Sequence, residues 1–152
     1  MADFVSEFGL SMVGGCCGTT PEHIAQLKEQ VLTRTQAERE IEPINAVSSL
    51  YTSMPMRADA GIIMIGERTN ANGSKRFREA MLAGDWDFCM DIAKEQMRDG
   101  AQMVDLCVDY VGRDGAGDMA ELAGRFATAS TLPIMLDSTE PEVIKAGLEH
   151  LG

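Results

Sequence analysis

From about residue 60 onward the sequence alternates apolar runs with amphipathic stretches, and this alternation narrows the available folds more than any other feature. Ile62-Ile63-Met64-Ile65 is a continuous apolar run, as in a strand buried on both faces, and it opens into Gly66-Glu67-Arg68-Thr69-Asn70. Asp85 is placed to cap a helix reaching about Asp99, with Phe88, Ile92, Ala93 and Met97 available for one face and Gly100 as its stop. Residues 102–108 read as a second strand, ending around Asp105 and Asp109, and Met119, Leu122, Ala123 and Phe126 mark a second helix. Leu132-Pro133-Ile134-Met135-Leu136 makes a third strand that ends at Asp137 and Ser138, and Pro141 opens a third helix running to about His150. Three strand–helix repeats imply a parallel sheet with right-handed crossovers, hence an α/β fold. Ligands of such sheets bind beyond the C-terminal ends of the strands, which is where Glu67, Asn70, Asp105 and Asp137 fall.

The N-terminal part has a different character. Phe4, Val5 and Phe8 share one helical face, with Gly9 as a C-terminal cap, so a short helix is expected there. Leu10-Ser11-Met12-Val13 reads as a brief buried strand leading into Gly14-Gly15-Cys16-Cys17-Gly18, a glycine-rich turn. Thr20, Pro21 and Glu22 supply an N-cap, a proline at the first helical position and an acid in the first turn, so a helix from Pro21 to about Arg34 follows. Between about Glu38 and Asp59 the periodicity dissolves around Pro43 and Pro55. A structureless loop of roughly 20 residues is unusual inside one compact domain. The expected organisation is therefore an N-terminal segment over 1–37, a linker over 38–59 and an α/β segment over 60–152.

Charge and cysteine usage exclude several classes. The chain of 152 residues carries 24 Asp and Glu against 13 Lys and Arg, a formal charge of -11 that repels a phosphate backbone, which argues against nucleic acid as a partner. No apolar run approaches the roughly 20 residues that span a bilayer, and the N-terminus lacks a signal-peptide pattern, so a cytoplasmic location is expected. Cysteines at 16, 17, 89 and 107 do not form the dense framework of a secreted domain. Adjacent cysteines such as Cys16 and Cys17 rarely bond each other, which leaves burial or a shared metal ion, with zinc the natural candidate.

Two longer motifs carry a resemblance. The run from Met12 through Gly14-Gly15-Cys16-Cys17-Gly18-Thr19-Thr20-Pro21-Glu22-His23 resembles the closing motif of the homocysteine-binding barrel of homocysteine methyltransferases. That resemblance implies that Cys16 and Cys17 are two of three thiolates on a catalytic zinc whose open position takes the homocysteine sulfur; the third ligand would come from an earlier barrel strand. The second run, Ile65 to Asn70 with Gly73-Ser74-Lys75-Arg76-Phe77, Asp99-Gly100-Ala101, Asp105 to Asp109 and Leu136-Asp137-Ser138, resembles the start of the pterin-binding module of corrinoid methyltransferases. It implies that Asp137 hydrogen-bonds the pterin ring and that Glu67, Asn70 and Asp105 line the same pocket. Cys107 stands where many relatives have an asparagine, a departure at that contact.

Together the two blocks are similar to the junction between the zinc and pterin modules in the family of cobalamin-dependent methionine synthases. The resemblance implies the last strand and helix of one (β/α)8 barrel and about three βα units of a second. It also implies methyl transfer from 5-methyltetrahydrofolate, through cobalamin bound by a module outside this chain, to zinc-bound homocysteine. A fragment of this kind is expected to be inactive and aggregation-prone by itself and to hold little zinc. The alternatives are another pterin-binding barrel enzyme, such as a dihydropteroate synthase, and a non-catalytic metal-binding protein.

Overall fold

The computed structural model describes residues 1–56 and 61–151, which form two compact units, Met1–Pro43 and Ile44–Gly152. The sequence boundary at 59/60 lies outside the described residues.

In the first unit, α1 (Ala2–Phe8) buries Ala2 and Val5 and ends at Gly9, whose φ of 63° is the left-handed cap conformation that suits glycine. The Gly9 N–H closes on the Val5 carbonyl at 3.2 Å. Helix α2 (Pro21–Leu32) starts at Thr20, whose backbone N–H donates to His23 Nδ1 at 3.1 Å. His23 thus serves the helix start in the manner of a capping box. The strand expected over 10–13 does not form: the segment has no ladder, and Met12 is 88% exposed. A strand exists by pairing, and among the described residues nothing pairs with this one.

The second unit begins with a feature the sequence does not announce. Within the stretch read as linker, β1 (Ala46–Ser48) and β2 (Ser53–Pro55) form an antiparallel hairpin, with Val47 opposite Met54. Strands of three residues are too short to show a period, which is why composition alone reads as loop here. The hairpin tip is tied to the rest of this unit: Ser49 Oγ donates to the Thr131 carbonyl at 2.8 Å and Tyr51 Oη to the Thr128 carbonyl at 2.9 Å.

The α/β expectation holds for the remainder. Strands β3 (Ile65–Gly66), β4 (Met103–Cys107) and β5 (Ile134–Asp137) form a parallel sheet in the order β3-β4-β5. Helices α3 (Lys75–Ala83) and α4 (Trp86–Arg98) connect β3 to β4, α5 (Gly115–Ala129) connects β4 to β5, and α6 (Pro141–Leu148) follows. Asp85 and Asp114 cap α4 and α5 by accepting from Phe88 N and Gly117 N, each at 3.1 Å. Helix α3 was not anticipated, although Ser74 caps it by accepting from Phe77 N and Gly84 closes it at φ 70°.

Only the end of the apolar run 62–65 pairs: Ile62 is 91% exposed and the ladder begins at Ile65. The core joins Phe77 and Met81 of α3, Ile92 of α4, and Leu122 and Phe126 of α5 to one face of β4, through Val104 and Leu106. The alternating β4 residues, Met103, Asp105 and Cys107, are also buried but project from the opposite face, because successive side chains of a strand point to opposite sides. That second face carries the polar residues.

Candidate functional site

At the C-terminal ends of the three strands the register lines up Asn70, Cys107 and Asp137: Cys107 pairs with Asp137, and Asn70 makes a parallel bridge to Cys107. Asp105 lies one inward-facing position earlier on β4. The Asn70 amide joins the carboxylates, with Nδ2 donating to Asp105 Oδ2 at 2.9 Å and to Asp137 Oδ2 at 3.4 Å. Its other end, Oδ1, accepts from Asn72 N at 2.8 Å and Gly73 N at 3.1 Å. All four hydrogen-bonding positions of this side chain are engaged, so Asn70 acts as the brace between two carboxylates.

The two acids differ in setting. Asp137 is exposed, whereas Asp105 is 4% exposed, and its Oδ1 is buried with no hydrogen-bond partner among the described residues. Burial raises the Asp105 pKa above its usual range; the Asn70 bond opposes this, and the charges of Asp137 and Glu67 reinforce it. An unpaired buried carboxylate oxygen is costly and points to a missing donor or to a proton. Glu67 is exposed, and its Oε1 lies 3.4 Å from where a Cβ on Gly73 would sit.

Burial foremost, reinforced by the charges of Asp137, Asp109 and Asp105, pushes the Cys107 thiol up to about 11, which disfavours the nucleophilic thiolate. Asn72 Nδ2 approaches its sulfur at 3.8 Å. The structure adds Asp109, which accepts from Ser138 Oγ at 2.6 Å and Thr139 N at 3.0 Å and so ties the loop after β4 to the loop after β5. Its strand-end position was visible in the sequence, its partners were not. Cavities of about 690 Å³ beside Asn72, Asp109 and Tyr110 and of about 590 Å³ beside Glu67, Gly73 and Gln96 flank the carboxylates. Neither is lined by Asp105 or Asp137; Asp137 is exposed at its strand end and Asp105 is buried.

In the first unit Cys16 and Cys17 are exposed, with their sulfurs 3.7 Å apart. The turn is closed by Thr19 N–H on the Cys16 carbonyl at 3.0 Å. It needs its glycines: Gly18 has φ 80°, and a Cβ on Gly15 would run into the Thr19 side chain. The Cys17 backbone N–H, and secondarily the Cys17 side chain, lower the Cys16 pKa. Two thiolates on a tetrahedral zinc, each at about 2.3 Å, lie about 3.8 Å apart, which the observed separation matches. The pair therefore fits half of a zinc coordination shell. Among the described residues no group of three ligands forms.

Carboxylates at the C-terminal strand ends of a parallel α/β sheet mark the face where ligands of such sheets bind, and the chain belongs to the pterin binding enzyme family, which matches residues 66–152. Homocysteine S-methyltransferase matches residues 1–31. Over its full length the chain is 62% identical to the methionine synthase of Mycobacterium tuberculosis and, over 157 aligned positions, 60% identical to that of Mycobacterium leprae. It spans 13% of the length of each. Both motif resemblances read from the sequence are thus met by family matches over the same residues. Among the described residues no helix is long and apolar enough to cross a membrane.

Proposed function

We propose that this chain carries the pterin face and the zinc-thiolate pair of a methionine synthase, which moves a methyl group from 5-methyltetrahydrofolate by way of cobalamin to homocysteine. In this reading residues 1–37 end the homocysteine module, 38–59 connect, and 60–152 begin the pterin module. The three parallel strands are then consecutive strands of a (β/α)8 barrel whose C-terminal face holds the substrate. The free state of all four cysteines supports a cytoplasmic setting.

The observation that carries the reading is the Asn70 amide holding Asp105 and Asp137 together at the strand ends. A pterin ring presents an amino group and ring N–H donors along one edge, and carboxylates in fixed positions accept them. Asp137 offers the exposed acceptor, Asp105 Oδ1 a deeper one that lacks a donor, and Glu67 a third carboxylate at the rim. The methyl group leaves a tertiary amine, which requires protonation or a strong hydrogen bond at that nitrogen.

On the other unit Cys16 and Cys17 would hold zinc as thiolates. Zinc there supplies a lowered pKa for the homocysteine thiol, keeping the sulfur nucleophilic at neutral pH. The homocysteine S-methyltransferase match over 1–31 favours this reading over a dihydropteroate synthase, which needs no such block.

The test is calorimetric titration of the polypeptide, as its gene encodes it, with 5-methyltetrahydrofolate. Asp137→Asn is expected to weaken binding by on the order of 100-fold, the loss that follows when charge-assisted hydrogen bonds are removed. Unchanged affinity in that variant would remove the basis of the pterin assignment.

A further inference from the structure

The backbone between β3 and Asn70 is not a plain strand. Ile65 and Gly66 pair with Met103 and Val104, and the next parallel bridge joins Asn70 to Cys107. From Gly66 to Asn70 the chain advances four residues, while its neighbour advances three, from Val104 to Cys107, so one residue is extra. A turn closed by Asn70 N–H on the Glu67 carbonyl, at 3.3 Å, takes up the extra residue. The turn leaves the Arg68 N–H without a strand partner.

That donor is met by Gln96, a side chain on α4 that is only 3% exposed. Gln96 Oε1 accepts from Arg68 N at 2.5 Å, and Nε2 donates to Thr69 Oγ1 at 3.1 Å. The Thr69 hydroxyl donates in turn to the backbone carbonyl of Asp105. The bulge is therefore pinned on both sides, to the helix behind it and to the strand beside it. Gly66 makes room for the contact, since a Cβ there would lie 2.7 Å from Gln96 Oε1.

We propose that Gln96 is a positioning residue for the pterin site, acting through the bulge rather than on the ligand. The proposal rests on the pterin reading above. Strand side chains alternate in direction, so removing one residue from the count turns every later side chain to the other face. With the bulge relaxed into regular strand, Asn70 would no longer face Asp105 and Asp137, and the brace between the carboxylates would be lost. Gln96 holds the count at the value that aims Asn70 inward.

The gene-encoded polypeptide is titrated with 5-methyltetrahydrofolate by calorimetry as native protein and as Gln96→Leu, Thr69→Val, Thr69→Ser and Asp137→Asn. Gln96→Leu and Thr69→Val are expected to raise Kd about tenfold or more with binding stoichiometry near native, and Thr69→Ser, which keeps the hydroxyl, to bind like native. A purely structural role would instead lower the stoichiometry, as part of the sample unfolds, and leave Kd unchanged; that result overturns the proposal. If Gln96→Leu does not fold, the contrast between Thr69→Val and Thr69→Ser decides, because it alters the relay without touching the glutamine. Weakened binding in Asp137→Asn with native Kd in both Gln96→Leu and Thr69→Val defeats the positioning role and leaves the pterin reading standing. Native binding in Asp137→Asn defeats the pterin reading itself and this proposal with it.

Discussion

The two units build their candidate sites in opposite ways. Cys16 and Cys17 are neighbours in sequence, exposed, and presented by one glycine turn, followed by a helix with no buried residue. Asp105 and Asp137 come from two strands and Asn70 from the turn that follows a third, and their arrangement depends on a core that joins four helices to the sheet. A site made of adjacent residues is specified by local backbone chemistry. One assembled from distant strands is only as precise as the packing beneath it.

The largest test of this contrast is removal of bulk beneath each site. Phe126→Ala, at a fully buried ring, is expected to cost about 3–5 kcal/mol in denaturant unfolding and to abolish folate binding. Ile24→Ala on α2, where the side chain is 43% exposed, is expected to cost within about 0.5 kcal/mol. Comparable losses for the two would erase the distinction.

A Cβ added to a crowded glycine sharpens it. Gly66→Ala pushes into the buried Gln96 amide and is expected to cost about 1–3 kcal/mol and to weaken folate binding. Gly15→Ala meets the Thr19 side chain down to its Cβ, at 2.6 Å, so the turn itself must shift; it is expected to cost about 1–3 kcal/mol by the same denaturant measurement but to leave folate binding native.

Thiol reactivity separates the regions by rate. Alkylation of zinc-free protein at neutral pH, followed by mass spectrometry, should label exposed Cys16 and Cys17 first. Cys89, pushed up to about 12 by burial and the Asp85 charge, and Cys107, pushed up to about 11, should react only on unfolding. Early labelling of Cys107 would mean that the strand ends are open.

The smallest effect is on pH dependence. A carboxyl whose folded pKa is raised binds its proton more tightly in the native state than in the unfolded one. Stability from Asp105 is therefore fully present below the unfolded pKa and is lost as pH rises through the folded value. Asp105→Asn should remove that downward slope above the ordinary carboxylate range of 3.8, raise the melting temperature at neutral pH and weaken folate binding. An unchanged slope would show that Asp105 does not titrate differently in the fold.

The same contrast explains what the sequence disclosed. The cysteine turn, the proline-started helix after it and the strand-end acids were legible because each is a short-range signal, set by glycine, capping or apolar runs. Helix α3 carried its own signals in Ser74 and Gly84 but lay inside a motif that reads as loop. The expected strand at 10–13 failed because apolar residues without a neighbouring strand have nothing to pair with. The engagement of the whole Asn70 amide, the orphan oxygen of Asp105 and the bulge held by Gln96 all depend on register, which no single segment encodes.

The most direct test measures zinc content and 5-methyltetrahydrofolate affinity together in the gene-encoded polypeptide, for the double variant Cys16→Ser with Cys17→Ser and for Asp137→Asn. The account predicts that the cysteine variant loses its zinc and keeps native folate affinity, while Asp137→Asn keeps its zinc and loses folate. Zinc retained without the two cysteines, or folate held at native affinity without the Asp137 carboxylate, would contradict it.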